Sequence, residues 1–281
     1  MRLLQLLLLV MGGCAHFMGH VHVNVPGRLD TRVNYTMFKH DGFVIVDDVF
    51  TRAEIDLMRR GILQLAGNES TQFKPWFVPS ALDPGLTIPD FMARDTFDFL
   101  HHLPNNPAVL RVLHILFGPK PFRYCGHNDI GISRIVGWHK DKLNGPYAKY
   151  QTLPLWGKDQ PEGGHFIVKV AIYLQDHTHD DDSLVIVPGS HTTPSYTIDR
   201  ATHLHPRKGS IVVFEQRATH RGQQWSPARL IESRQNKHHR IMVSLGFGVD
   251  NIFTRQFEQG TLERQTDQCG DRCQRRKRRL R

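Results

Sequence analysis

The chain has 281 residues, 40% of them hydrophobic and 22% charged, which suits one sizeable buried core and excludes an intrinsically disordered polymer. The formal charge of +9 invites a nucleic-acid partner, but seven of the basic residues fall in 272–281, which holds no acidic residue, so everything before them carries only +2. A nearly balanced fold argues against nucleic-acid binding, and residues 259–281 read as a basic, disordered tail, solvated or in contact with polyanions such as glycans or an acidic membrane surface.

Residues 1–15 read as a secretory signal peptide. Arg2 stands before an apolar run over 3–11 broken only by Gln5, and Gly12, Gly13 and Ala15 follow near a cleavage point. The run is too short to span a bilayer, so no transmembrane segment is expected after signal cleavage and the mature chain starts near His16. That reading makes the protein secreted or resident in the lumen of the secretory pathway. It also gives meaning to two glycosylation sequons, Asn34-Tyr35-Thr36 and Asn68-Glu69-Ser70. Residues 16–33 are a linker.

The next elements are helical. Thr51 and Glu54 form a capping-box pattern, and Ile55, Met58, Ile62 and Leu65 recur at helical spacing until Gly67. Asn106-Pro107 opens a second helix whose apolar face is Val109, Leu110, Leu113, Leu116 and Phe117, with Gly118 as its stop. Both stripes are core-packing faces of helices that back a sheet, and no chemistry is assigned to them.

From residue 130 onward the pattern turns to strands. Residues 130–138 mix β-branched and small residues and lead directly into His139-Lys140-Asp141. The stretch 142–165, rich in Gly, Pro and aromatic residues, reads as a lid or substrate loop. Strands follow over 166–174, 184–187, 209–214 and 240–247, separated by an acidic turn at Asp180-Asp181-Asp182, a Pro188-Gly189 stop and the approach to His220. Short strands with polar turns and flanking helices predict a mainly β fold, a jelly roll of the cupin-like, double-stranded β-helix type, in one domain over 34–258.

His139 and Asp141, at i and i+2 on a strand, project to one face while Lys140 points away. With His220 they offer two imidazoles and one carboxylate, the facial triad of non-haem Fe(II) enzymes, which leaves half of the metal open. Other histidines are weaker candidates. His191 reads as structural or rim-lining, His238 and His239 as exposed loop residues, and His177 and His179 beside three aspartates as solvated neighbours of an acidic turn rather than a second metal site. Trp138 and Phe214 are candidates for the walls of the iron pocket. Cys14 leaves with the signal. Cys269 and Cys273 have the spacing of a small disulfide loop, with Cys125 buried and free, and the pairing stays open.

These residues resemble the phytanoyl-CoA dioxygenase family of Fe(II)- and 2-oxoglutarate-dependent oxygenases. The likeness runs from about Tyr35 to Phe257. It is carried by Asp41-Gly42-Phe43-Val44-Ile45-Val46-Asp47, Trp138-His139-Lys140-Asp141, Leu184-Val185-Ile186-Val187-Pro188-Gly189-Ser190-His191, residues 209–214, His220 and the strand opened by Arg240. The resemblance implies that His139, Asp141 and His220 bind iron and that Arg240 pairs with the far carboxylate of 2-oxoglutarate, a role suited to a planar, permanently charged fork. Arg229 and Arg234 compete for that role, and Arg240 is preferred because it alone opens an apolar strand. The implied reaction consumes O2 and 2-oxoglutarate, releases succinate and CO2, and hydroxylates a small-molecule substrate, with ascorbate as a reductant. Two other readings stay open: a non-catalytic metal- or carbohydrate-binding jelly roll, and a matrix- or glycan-binding protein resting on the tail alone. A peroxisomal phytanoyl-CoA enzyme is disfavoured, because residues 1–15 point to secretion and Arg279-Leu280-Arg281 is no peroxisomal signal.

Overall fold

The computed structural model describes residues 22–24, 35–68, 85–143, 148–150, 152–161, 164–223 and 240–269. The signal segment, Asn34, the stretch holding Arg229, Arg234, His238 and His239, and everything after Cys269 lie outside the described residues.

The strands are β1 (His22–Asn24), β2 (Phe43–Asp47), β3 (Leu86–Pro89), β4 (Phe122–Ile132), β5 (Ile167–Tyr173), β6 (Leu184–Ile186), β7 (Thr202–Leu204), β8 (Ile211–Glu215), β9 (His220–Arg221) and β10 (Ile241–Val249). They form a seven-stranded sheet in the order β1-β2-β8-β5-β10-β4-β3 and a three-stranded sheet in the order β7-β6-β9. Among the described strands β1 and β2 pair in parallel and the other strand pairs are antiparallel, with one further parallel contact at the isolated bridge between Ile135 and Gln223. This is the jelly-roll architecture, with helices α1 (Tyr35–Asp41), α2 (Arg52–Asn68), α3 (Pro107–Phe117) and α4 (Ile252–Cys269) flanking the sheets.

Strand alternation divides the large sheet into two faces. Val44, Val46, Val168, Val170, Ile172, Ile211, Val213, Val243 and Leu245 join the main core with Ile55, Met58 and Ile62 of α2 and Val109, Val112, Leu113, Leu116 and Phe117 of α3. The intervening residues Ile45, Ala171, Tyr173, Val212 and Phe214 face the small sheet and meet Leu184, Ile186 and Leu204. The first face anchors the fold, and the second surrounds the site.

Both helix starts carry their caps. The Thr51 amide donates to Glu54 Oε2 at 2.7 Å while the Glu54 amide donates to Thr51 Oγ1 at 3.2 Å. Asn106 Oδ1 accepts from the amides of Ala108 and Val109. On α3 Val112 is buried where Leu110 was expected, so the buried stripe is slightly rotated from the one read in the sequence.

Three expectations need correction. The strand expected over 130–138 is instead the C-terminal end of β4, which stops at Ile132 because Ser133 turns left-handed at φ 50°. His139 therefore sits on an isolated bridge to His220 rather than on a continuous strand. The tail boundary at residue 258 is also wrong: α4 continues to Cys269, with Thr261, Arg264 and Gln265 buried. Finally, the described part of 142–165 does not cover the cavity. Leu155 packs with Phe253 and Phe257 of α4, and Trp156 Nε1 donates to His191 O at 2.8 Å. Among the described residues, no helix is long and apolar enough to cross a membrane.

Candidate metal centre and active site

The two histidines are joined through their backbones. The His139 amide donates to His220 O at 2.8 Å and the His220 amide donates back to His139 O at 2.9 Å, placing the imidazole centroids 4.2 Å apart. Each Nδ1 lies against a backbone carbonyl, that of His139 on Gly137 O at 2.8 Å and that of His220 on Ala218 O at 3.0 Å. A proton on Nδ1 satisfies each carbonyl and leaves Nε2 as the lone-pair donor. Burial, followed by the neighbouring His139, pushes the His220 pKa down to about 3, so its ring is neutral, as a metal ligand must be.

Asp141 completes the set. Its Oδ1 lies 3.3 Å from His139 Nε2, and its Oδ2 lies 2.6 Å from Lys169 Nζ. Burial opposes its charge, but Lys169 and the two histidines outweigh burial and hold the carboxyl well below the ordinary carboxylate range. One ligand atom from each of His139, Asp141 and His220 lies within 4.8 Å of the other two, and no other such group occurs among the described residues. His177 is instead buried edge-on against Tyr173, and Asp180 faces His203 and His205.

The motifs around the triad act as fasteners. Lys140 is fully buried and donates to Ser190 O and Arg217 O, tying the His139 loop to the Pro188-Gly189-Ser190-His191 turn. Ser190 Oγ in turn accepts from the Thr219 amide at 2.8 Å, one residue before His220. His191 Nε2 reaches Lys39 O, and a Cβ at Gly42, where φ is 82°, would lie 2.4 Å from His191 Nδ1. The glycine and the turn therefore hold the two halves of the triad in one place, and His191 is a structural residue.

The triad opens into a cavity of about 520 Å³. Trp138, Tyr173, Phe214 and Met242 supply apolar wall, and Arg240 lines the same space. Arg240 Nε donates to Asp182 O at 2.9 Å, and its Nη2 lies 3.4 Å from the Tyr173 hydroxyl. These partners are neutral. Arg264 of α4, by contrast, makes a bidentate pair with Asp129 at 2.8 and 2.9 Å. Sequence reading missed Lys169, His127, Asp129, Arg134 and Arg264 as cavity residues. Lys169 alone left a signal, as a single charge in the apolar run of β5.

Two imidazole nitrogens and one carboxylate, converging on an open cavity, fit a divalent iron ion. The comparison with known families settles the lineage, since the phytanoyl-CoA dioxygenase (PhyH) profile matches residues 38–229. The chain belongs to the phytanoyl-CoA dioxygenase family. It is accordingly a non-haem, Fe(II)- and 2-oxoglutarate-dependent type of enzyme. Solved structures agree on the fold. The non-heme alpha ketoglutarate dependent epimerase SnoN from nogalamycin biosynthesis superposes with a TM-score of 0.56 at 16% identity, over 76% of this chain and 80% of its own. HygX from Streptomyces hygroscopicus, with nickel and 2-oxoglutarate bound, gives 0.54 at 15% identity over 78% and 87%. AviO1 from Streptomyces viridochromogenes Tue57 gives 0.57 at 16% identity over 80% and 97%. No curated protein sequence matches the chain.

Proposed function

We propose that this enzyme hydroxylates a small organic molecule, with succinate and CO2 as co-products, and that iron is held by His139, Asp141 and His220. The observation that carries the reading is the convergence of those three ligands on the wall of the cavity that Arg240 also lines. When bound, iron together with 2-oxoglutarate and O2 supplies the oxidising chemistry. The chain supplies position and shelter. The carbonyls of Gly137 and Ala218 orient the imidazoles, and the Arg240 fork, held by Asp182 O and Tyr173, is set to receive the far carboxylate of the co-substrate. Trp138 and Phe214 keep water from the reacting face.

A small-molecule substrate is supported by the fold relatives, since HygX has been solved with hygromycin B and SnoN with nogalamycin RO. We also assign the mature chain to the secretory lumen or the cell exterior, on the sequence of residues 1–15 alone. Ascorbate enters the proposal as the reductant that keeps iron ferrous.

Succinate formation from 2-oxoglutarate can be measured with Fe(II), ascorbate and air before the primary substrate is known. The expected result is slow succinate release that requires Fe(II) and disappears in His139→Ala, Asp141→Ala and His220→Ala proteins that remain folded. Because tight coupling can suppress this leak, Mn(II) and 2-oxoglutarate binding is measured in parallel. Folded protein that binds neither overturns the reading and leaves a non-catalytic jelly roll.

A further inference from the structure

Lys169 is the only charged residue of β5, in the sequence Ile167-Val168-Lys169-Val170-Ala171-Ile172-Tyr173. Its register partners are Phe214 of β8 and Gly246 of β10, so it stands in the middle of the large sheet, on the face that lines the cavity. Its side chain is 12% exposed, with Nζ 2.6 Å from Asp141 Oδ2 and 5.6 Å from the Phe214 ring centre. A lysine in such a place carries a desolvation cost that only a specific partner offsets. That partner is the metal-ligand carboxylate, at the oxygen opposite the one that faces His139.

We propose that Lys169 is a positioning residue for the metal centre. It occupies Oδ2 of Asp141, so that the carboxylate presents Oδ1 alone beside the two imidazoles, and it sets the charge that metal and co-substrate meet there. The proposal rests on the triad being the iron site.

Two consequences of opposite sign follow. An ammonium beside the ligand carboxylate repels an arriving divalent cation, so the wild-type site holds its metal less tightly than an uncharged neighbour would allow. The same ammonium attracts the dianionic co-substrate. By holding Oδ2 it would also leave Asp141 a single oxygen to offer a bound metal. Lys169 therefore exchanges metal affinity for co-substrate affinity. A lysine needed only for the fold would, on removal, weaken both.

The test uses the full chain, with Mn(II) as the metal probe. Free Mn(II) is followed by electron paramagnetic resonance, and 2-oxoglutarate binding to Mn(II)-loaded protein by titration calorimetry. In Lys169→Met, Mn(II) is expected to bind about tenfold more tightly and 2-oxoglutarate about tenfold more weakly. Lys169→Arg, which keeps the charge, should move both constants back toward wild type. If Lys169→Met fails to fold, Lys169→Gln gives the same two readings. Parallel weakening of both ligands, or no change in either, overturns the proposal. Asp141→Ala separates this from the parent reading. Wild-type Mn(II) binding that is lost in Asp141→Ala upholds the triad whatever Lys169 does, whereas wild-type protein that binds no Mn(II) removes both.

Discussion

Arg240 is set apart from Arg264 by the company it keeps. Both line the cavity, but Arg264 spends its charge on Asp129, while Arg240 rests on a carbonyl and a phenol. Replacing Arg240 by Lys keeps the charge and loses the planar fork, so 2-oxoglutarate should bind at least about tenfold more weakly, close to 1.4 kcal/mol. Arg229→Lys and Arg234→Lys, in the stretch outside the described residues, should change it by less than about twofold. A calorimetric titration showing the reverse order would move the anchor into 224–239. At this scale the triad was legible because metal-ligand types stand at fixed spacing within a recognisable series of motifs. Lys169 showed only as a lone charge in an apolar run, and its role stayed hidden because its partner Asp141 lies on a different segment. Lys140 was read only as facing away from the ligands. Its two carbonyl partners become visible only once the Ser190 and Arg217 turns are folded against it.

At the scale of elements, α4 matters most to what the sequence concealed. Its apolar face ends at Phe257, and the residues that continue the buried side are Thr261, Arg264 and Gln265. A polar buried stripe resembles a solvated tail when only hydrophobicity is counted, which is why the boundary fell too early. The start of β4 was missed for a related reason, since His127 and Asp129 turn polar groups into the cavity. Helices α2 and α3, whose polar caps and apolar stripes are both local in sequence, were readable almost as they stand. The Arg264–Asp129 pair yields a test of α4. Arg264→Ala leaves a largely buried carboxylate without its bidentate partner and should lower the unfolding free energy by about 3 kcal/mol, whereas deletion of 272–281 should leave it unchanged. Urea denaturation compares the two. Equal stability of Arg264→Ala and wild type would show that α4 is not held by this pair.

Across the whole molecule, the jelly roll was legible from short strands between polar turns, but β3 and β7 are short and lack the unbroken apolar run that marks β6, so they did not announce themselves. Buried histidines give the folded molecule a pH dependence whose sign can be worked out. Burial pushes His127 down to about 3 and His165 down to about 4, from an ordinary value of 6.5. The unfolded chain therefore takes up protons below 6.5 that the folded chain refuses, and stability falls as pH drops from 6.5 toward 4. The slope is about 1.4 kcal/mol per pH unit for each histidine that titrates in this way. Glu215 acts lower. Burial opposes its charge, but Arg217 and His165 prevail and draw its pKa from 4.5 to about 2, so its contribution is lost only below 4.5. Urea midpoints of chelator-treated protein should fall between pH 7 and pH 5, and His165→Gln should flatten that fall. A level profile would refute the assignment.

The reciprocal backbone bonds between His139 and His220 also make the metal a clock for folding. The two imidazoles come from distant parts of the chain and meet only after the loop between them has closed and the small sheet has docked on the large one. Metal capture during refolding should then be among the last signals to recover. Because the cradle is built by amides rather than by the ion, stripping the metal should leave the chain folded and ready to reload, unlike a zinc finger, which unravels when its ion leaves.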